Sequence, residues 1–324
     1  MTHAIGSLFS GYGGLDLAVD MVLDAEPAWF VEFDDAPSKI LNRHWPGVPN
    51  HGDVTKVDWS ALPPVDILTG GYPCQPFSAA GRRKGTDDER HLWPYVRDAI
   101  RVLRPRIVFL ENVAGHRSLG FDQVLGDLAE DGADVWWTSL RASDIGAPHH
   151  RERLFILVVP ADSDVVGSQA GHERPVGSGT EVPVTDGGRR ALPDPLGTRR
   201  SERRGTTPGE ASGGRPHGES HGRGDGVHWG EYAPAIRRWE RTLGRPAPSP
   251  TEPNTKGNPR LKAAFAEWMM GLPAGWVADT PGLSRADQLK AIGNGVCPPQ
   301  AAAALLQLLE IMDEQEMVTS HDPR

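Results

Sequence analysis

Residues 4–20, AIGSLFSGYGGLDLAVD, join a short apolar run, a glycine-rich turn and an amphipathic segment. This order predicts a strand that passes through a tight turn into a helix, as in the first crossover of an open α/β sheet. Gly11 and Gly13 would let the backbone approach a ligand at the helix N-terminus. Asp16 replaces the last glycine of a nicotinamide-binding G-x-G-x-x-G. Taken alone, the turn is compatible with a ligand site or with a tight connection.

The strand–helix alternation continues through the N-terminal half of the chain. Five apolar runs predict buried strands at 4–9, 29–31, 65–68, 107–110 and 154–159. Helical spacing of apolar residues predicts helices at 15–23, 92–103 and 121–128. Strands that alternate with helices at this interval predict an α/β fold with an open, mostly parallel sheet covered on both faces.

The composition changes after the fifth run. Residues 162–226 are rich in Gly, Pro, Ser and Arg, and no aromatic residue occurs between Phe155 and Trp229. Such a segment buries little apolar surface, so we predict loop or disorder over part of it. Helical spacing returns at 229–243 and at 300–312.

Charge is distributed unevenly along the chain. The net charge is −9, yet 12 arginines stand against seven acidic residues between Arg189 and Arg245. This local excess is compatible with a DNA contact or with biased codon usage. The apolar runs are far shorter than the roughly 20 residues of a membrane helix, and the N-terminus lacks signal-peptide features. We therefore expect a cytoplasmic protein with no membrane contact.

One of the two cysteines lies in an unusual loop. Residues 70–85, GGYPCQPFSAAGRRKG, place Cys74 between two prolines, just beyond a predicted strand. Open parallel sheets carry their chemistry at this edge, and such a loop is a poor core element. Two cysteines are too few for a disulfide framework. We interpret Cys74 as a nucleophile, with an inert buried thiol as the alternative, and Cys297 as structural.

Charged side chains stand at two further strand ends. Glu111 follows the run at 107–110, where partial burial would raise the pKa of its carboxyl toward that of a proton donor. Arg151 and Arg153 enter the last run two residues apart, so an extended chain would point both to one face. There they could hold a carbonyl or phosphate group and favour a thiolate. Each arginine alone could instead form an ordinary salt bridge.

Two acidic residues suggest an adenosine-bearing ligand. Glu32 closes the second strand 19 residues after Gly13, where a carboxylate can accept hydrogen bonds from ribose hydroxyls. Asp53, in HGDVT, could accept from the exocyclic amine of adenine. Either residue alone could be a solvated strand end or a helix cap.

Taken in order, these motifs resemble those of the DNA (cytosine-5) methyltransferases. They are FSGYGG at 9–14, VEFD at 31–34, GDVT at 52–55, GGYPCQPFS at 70–78, FLENV at 109–113, RERLFIL at 151–157 and GNGVCPPQ at 293–300. A variable segment separates the last two motifs, so the resemblance covers both ends of the chain.

The resemblance implies a Rossmann-like, S-adenosyl-L-methionine-dependent methyltransferase sheet and a smaller, irregular target-recognition domain. It divides the chain into a catalytic and cofactor-binding domain (1–161), a recognition domain with a Gly/Arg-rich insert (162–283) and a C-terminal segment that returns to the catalytic domain (284–324). The cofactor-binding residues that it implies are Phe9, Gly11, Gly13, Glu32, Phe33, Asp53, Val54 and Asn294.

The family's reaction, carried over to these residues, begins with addition of Cys74 to C6 of a cytosine flipped out of double-stranded DNA. Glu111 would engage N3 and Arg153 would hold O2, while C5 takes the methyl group. Residues 79–91 correspond to a mobile loop that closes on DNA. Double-stranded DNA is the implied partner, and we expect a monomer with no metal ion.

The chain departs from the family in two places, and two other functions remain open. His149 and His150 precede the arginine pair, where the family usually has Gln, and residues 260–277 resemble the motif ending the recognition domain only in MGLP. The alternatives are an RNA cytosine-5 methyltransferase and a catalytically silent DNA-binding relative. No pattern in the sequence identifies the target bases.

Overall fold

A computed structural model describes residues 2–73, 92–161, 180–181 and 227–320. The strands are β1 (His3–Leu8), β2 (Ala25–Val31), β3 (Ile67–Gly70), β4 (Ile107–Val113), β5 (Asp134–Arg141), β6 (Glu152–Val159), β7 (Thr180–Glu181), β8 (Thr251–Pro253) and β9 (Pro259–Leu261). The helices are α1 (Gly14–Leu23), α2 (Asp35–His44), α3 (Trp93–Leu103), α4 (Phe121–Glu130), α5 (Ala233–Leu243), α6 (Ala263–Met269), α7 (Arg285–Asn294) and α8 (Pro298–Ser320).

A seven-stranded sheet of order β2-β1-β3-β4-β6-β5-β7 forms the centre of the fold. The pairs β1–β2, β1–β3, β3–β4 and β5–β7 are parallel, whereas β6 runs antiparallel to β4 and β5. The short strands β8 and β9 form a separate antiparallel hairpin. The predicted α/β class with a mostly parallel sheet is therefore confirmed.

Helices cover both faces of the sheet, as predicted. On β4, Val108 and Leu110 join one buried cluster and Phe109 joins the other, because successive strand residues point to opposite faces. From the helices α3 and α4, the first cluster takes Val96, Ala99, Ile100, Val124 and Leu128. From α1 and α8, the second takes Leu15, Ala18, Val19, Leu305 and Leu308.

The C-terminal helices pack onto the N-terminal part of the chain. A third buried cluster joins Tyr12 and Ile40 to Trp239, Trp268 and Leu272. The described residues 227–283 thus share a core with the first 161 residues. The division at 162 and 283 stays a prediction, and residues 162–226 lie outside the described part except for β7.

Seven of the strands and helices named above are absent from the sequence prediction, namely β5, β7, β8, β9, α2, α6 and α7. Strand β5 was missed because Thr138 and Ser139 interrupt its apolar residues, although Trp136 and Trp137 are buried. Helix α2 contains Pro37 near its start, and the helices α6 and α7 are short and alanine-containing. None of the helices in the described ranges is long and apolar enough to cross a membrane.

Candidate active site

The turn after β1 has an unusual backbone. Phe9, Gly11 and Gly13 have φ angles of +50°, +56° and +81°. A Cβ atom on Gly13 would lie 2.5 Å from the Trp45 ring, so only glycine fits there. The amide of Phe9 donates a 2.8 Å hydrogen bond to Val31 O, which helps to hold this non-glycine residue in the left-handed region. Such strain is typical of functional sites.

Glu32 faces this turn from the end of β2. Its Oε2 accepts a hydrogen bond from the amide of Gly11 and its Oε1 accepts one from Asp34, both at 2.8 Å. Burial raises the pKa of the Glu32 carboxyl. Because each carboxylate oxygen has two lone pairs, both oxygens keep acceptor capacity for ligand hydroxyls.

A cavity of about 860 Å³ joins the turn to the ends of β3 and β4. Its lining includes Phe9, Gly11, Glu32, Pro73, Glu111, Arg153 and Asn294. This volume lies within the usual range of small-molecule sites. The structure thus brings together residues that the sequence assigned separately to a cofactor and to catalysis.

Glu111 and Arg153 form an ion pair in this cavity. Arg153 lies opposite Val113 in the antiparallel β4–β6 pair, so Glu111, two residues before Val113, has its side chain on the same face. The Arg153 Nε is 2.8 Å from Glu111 Oε1. Burial raises the pKa of the Glu111 carboxyl, and the positive charges of Arg153 and Arg151 oppose that shift. The pair offers a buried proton carrier beside a fixed cation.

Arg151 is not extended, which corrects the prediction that both arginines enter the strand on one face. Its φ is +27°, and β6 begins at the next residue. Its guanidinium donates hydrogen bonds to the carbonyl oxygens of Gly293, at 3.1 Å, and Gly295. Arg151 therefore holds the α7–α8 junction, beside Asn294, against the start of β6. Its assignment as a catalytic residue stays a prediction.

Cys74 lies outside the described residues, as do residues 79–91. Pro73, which precedes Cys74 in the chain, lines the cavity. Cys297 is fully buried at the α7–α8 junction, and burial raises the pKa of its thiol to about 12. A thiol in that environment is a poor nucleophile, which agrees with its interpretation as structural.

Four of the cofactor-binding residues implied by the resemblance are not among the described residues that line the cavity. Gly13 lies against Trp45, and the Phe33 side chain is 75% exposed. Val54 is buried in the first cluster. The Asp53 carboxylate accepts hydrogen bonds from Thr55 and pairs with Lys56, so local partners occupy it. Their assignment to the cofactor stays a prediction.

Sequence reasoning missed two buried side chains behind the site. Asn112 donates a 3.0 Å hydrogen bond to the carbonyl oxygen of Tyr72, two residues before Cys74. The Tyr72 hydroxyl lies 2.8 Å from Nε2 of His116, in the turn after β4. The position of Asn112 beside Glu111 in FLENV was an available signal, whereas no sequence pattern marks His116.

His149 is one of the two histidines that stand before the arginine pair, where the family usually has Gln. Its Nε2 lies 2.9 Å from the carbonyl oxygen of Met269 at the end of α6. Burial lowers the pKa of the His149 imidazole, so the neutral ring is favoured. Within the described ranges, no cluster of three or more His, Cys, Asp or Glu residues is arranged to hold a metal ion.

The chain shows clear similarity to known methyltransferases. The profile of the C-5 cytosine-specific DNA methylase family matches residues 3–185. Type II methyltransferase M1.ScrFI of Lactococcus lactis subsp. cremoris is 35% identical over 155 residues, which cover 46% of this chain and 40% of that protein. Type II methyltransferase M.NlaX of Neisseria lactamica is 34% identical over 158 residues, which cover 46% of this chain and 50% of that protein. The matches thus span half or less of these relatives.

Solved structures share the fold over nearly the whole chain. S. pombe Dnmt2 methyltransferase superposes with a TM-score of 0.59 at 14% identity, covering 96% of this chain and 99% of that chain. A mutant of Spodoptera frugiperda DNMT2 gives a TM-score of 0.55 at 15% identity, covering 95% and 99%. Since the family profile covers more than half of the sequence, the chain belongs to the C-5 cytosine-specific DNA methylase family.

Proposed function

We propose that this protein transfers a methyl group from S-adenosyl-L-methionine to C5 of a cytosine in a specific double-stranded DNA sequence. The observation that carries the proposal is the shared cavity. It is lined both by Gly11 and Glu32 and by the Glu111–Arg153 pair. A methyl donor and a base could therefore occupy one cavity side by side, as direct transfer requires.

The residues of the turn fit the cofactor. Glu32 keeps acceptor capacity for ribose hydroxyls. Phe9 and Gly11 line the cavity, and no atom lies within 4 Å of the position that a Cβ on Gly11 would take. Asn294 approaches from the end of α7. When bound, S-adenosyl-L-methionine supplies an electrophilic methyl group.

The protein's own residues activate the base. The Cys74 thiolate adds to C6 of cytosine while Glu111, as a carboxylic acid, donates its proton to N3. Burial of Glu111 favours the protonated form. The electron pair moves toward C5, which becomes nucleophilic enough to take the methyl group. A solvent water then takes the C5 proton while the electron pair of that bond reforms the C5–C6 double bond and expels Cys74 as a thiolate. The N3 proton returns to Glu111, and the aromatic ring is restored.

Arg153 orients the base and Glu111 together. Its Nε pairs with Glu111 and its Nη1 donates to the carbonyl oxygen of Glu152, which leaves the hydrogens of Nη2 for O2 of the pyrimidine. A cytosine inside a duplex cannot enter the cavity, so it must flip out at a cost of about a few kcal/mol. Residues 162–283 select the target sequence in this proposal, and the protein acts as a monomer without a metal ion.

A covalent-trapping experiment tests this function. A DNA duplex containing 5-fluorocytosine should form a denaturant-resistant adduct with wild type, because fluorine at C5 blocks release of the sulfur. Cys74→Ser should form none, and Cys297→Ser should still react, because Cys297 is buried away from solvent. An adduct that forms on RNA but not on DNA would favour an RNA cytosine-5 methyltransferase. If no adduct forms on either nucleic acid, the result would favour a catalytically silent DNA-binding protein. Bisulfite sequencing of DNA from expressing cells identifies the target.

A further inference from the structure

Both the backbone and the side chain of Tyr72 are hydrogen-bonded to residues at the C-terminal end of β4 or in the turn that follows it. Its carbonyl oxygen accepts the 3.0 Å hydrogen bond from Asn112, whose own Oδ1 accepts from the amide of Val113 at 2.8 Å. Its hydroxyl lies 2.8 Å from His116 Nε2. Tyr72, Asn112 and His116 are all buried. Two bonds therefore fix the residue that stands two positions before Cys74.

His116 acts as the acceptor of the Tyr72 hydroxyl. Its Nδ1 lies 3.0 Å from the carbonyl oxygen of Leu119, so Nδ1 carries the hydrogen. In a neutral imidazole, Nε2 then carries a lone pair in the ring plane, and the Tyr72 hydroxyl donates to it. Burial lowers the pKa of His116, which favours this neutral ring. The turn after β4 thus sets the polarity of the bond.

Aromatic packing supports the pair from two helices. The Tyr72 ring lies against Trp93 at the start of α3, with a centroid distance of 5.4 Å. The His116 ring lies against Phe121 at the start of α4, at 5.8 Å. Trp93 and Phe121 both belong to the first buried cluster. The hydrogen bond is therefore formed between two side chains that are already restrained.

The local sequence transmits this restraint along the chain. Pro73 has a φ angle held near −65° by its ring, and it restricts Tyr72 to extended conformations. Few backbone angles therefore separate the anchored Tyr72 from Cys74. Glu111 lies near the C-terminal end of β4, next to Asn112, which is hydrogen-bonded to Tyr72.

We propose that His116 is a positioning residue for the reaction. By accepting the hydrogen bond of Tyr72, it fixes Tyr72 and Pro73, the two residues that lead to Cys74 in the chain, relative to Glu111 and Arg153. The inference rests on the proposed function, since it takes Cys74 as the nucleophile. Reacting groups displaced by about 1 Å lose on the order of a hundredfold in rate, so a partial displacement has a measurable effect.

Three substitutions separate this role from general packing. Tyr72→Phe removes only the hydroxyl, and His116→Asn keeps a donor toward Leu119 but lacks the acceptor. His116→Gln keeps an acceptor near the Nε2 position. We expect the first two to lower kcat and the rate of adduct formation by about tenfold, with KM for S-adenosyl-L-methionine within about twofold of wild type. His116→Gln should recover most of the lost rate.

A double-mutant cycle shows whether the two side chains act through one bond. The Tyr72→Phe/His116→Asn variant should be no slower than the slower single variant, because both changes break the same interaction. Tyr95→Phe, an exposed tyrosine on α3, is the matched control and should keep the wild-type rate. Unfolding midpoints are measured for every variant to show that it folds. If His116→Asn does not fold, the rate of Tyr72→Phe alone tests the proposed role of the hydrogen bond.

Two results would overturn the inference: single variants within about twofold of wild type in rate, or a double variant whose loss is the product of the two single losses. Both presuppose an active wild type. A wild-type protein that neither methylates duplex DNA nor forms the adduct would instead refute the proposed function.

Discussion

Asp16 shows how one buried charge couples the stability of this fold to pH. Its side chain is 1% exposed, and its carboxylate accepts hydrogen bonds from the hydroxyls of Ser7 at 2.9 Å and Thr69 at 2.7 Å. Asp16 thus ties α1 to β1 and β3 behind the glycine turn. Burial raises the pKa of its carboxyl from 3.8 to about 6, because the charged form loses its hydration.

The raised pKa of Asp16 predicts a stability loss with rising pH. The folded state holds the proton more tightly, so this contribution is complete below pH 3.8 and disappears as the pH passes about 6. Asp16→Asn carries no charge, so its unfolding free energy should rise relative to wild type by about 2 to 3 kcal/mol between pH 4 and 7. Urea unfolding at several pH values measures the difference.

Asp20, exposed on the same helix, provides the control for this experiment. Asp20→Asn removes a carboxylate from α1 and leaves the buried Asp16 site intact, and its unfolding free energy is measured at the same pH values. Parallel pH curves for wild type and Asp16→Asn would contradict the prediction.

For single residues, the sequence predicts positions at strand ends more reliably than the partners of each side chain. Glu111 and Arg153 were identified from their positions at strand ends, and the antiparallel register brings them to 2.8 Å. Asp53 was proposed from HGDVT as an acceptor for the adenine amine, and the structure shows its carboxylate hydrogen-bonded to Thr55 and paired with Lys56. A residue's position beside a strand does not reveal which local partners its side chain has.

Among the elements, the turn from β1 into α1 depends most on backbone conformation. Gly13 precedes α1 with a φ of +81°, and a Cβ there would meet the Trp45 ring. Gly13→Ala should therefore lower the unfolding free energy by about 1 to 3 kcal/mol, from backbone strain and displacement of the ring. Chemical unfolding followed by circular dichroism measures it.

For Gly126, we expect substitution by alanine to have the opposite effect on the unfolding free energy. It lies inside α4, and a Cβ there would enter open space. Gly126→Ala should raise the unfolding free energy by about 0.5 to 1 kcal/mol, because alanine favours the helix. Equal stability of the two variants would show that the turn does not require glycine.

Strongly periodic elements were predictable and weakly patterned ones were not. The predicted helices at 15–23, 92–103 and 121–128 begin within one residue of α1, α3 and α4. Helix α2 buries only Ile40 and Leu41, so its pattern is too sparse to recognise. Its position is decided by packing against other parts of the chain, such as the hydrogen bond from Arg43 to Gly275 O at 2.9 Å.

At the scale of the whole molecule, the third buried cluster makes residues 227–283 part of the main core. Leu272 is fully buried in it. Leu272→Ala should lower the unfolding free energy by about 2 to 5 kcal/mol. The unfolding transitions followed by circular dichroism and by tryptophan fluorescence should shift to lower denaturant concentration by the same amount, because one cooperative unit unfolds.

Leu261, 43% exposed on β9, is the matched leucine control. Leu261→Ala should change the unfolding free energy by no more than about 0.5 kcal/mol. A separate, earlier fluorescence transition in Leu272→Ala would show that residues 227–283 unfold independently.

The amino-acid pattern by itself determined the α/β class, the glycine turn and the strand ends that carry Glu32, Glu111 and Arg153, because periodicity and turn chemistry are local properties. Only the tertiary structure decided the partner of Arg151, which binds carbonyl groups 142 and 144 residues further along the chain. It likewise decided that His116 meets Tyr72, 44 residues away. Such contacts depend on how whole elements pack, and no local pattern encodes them.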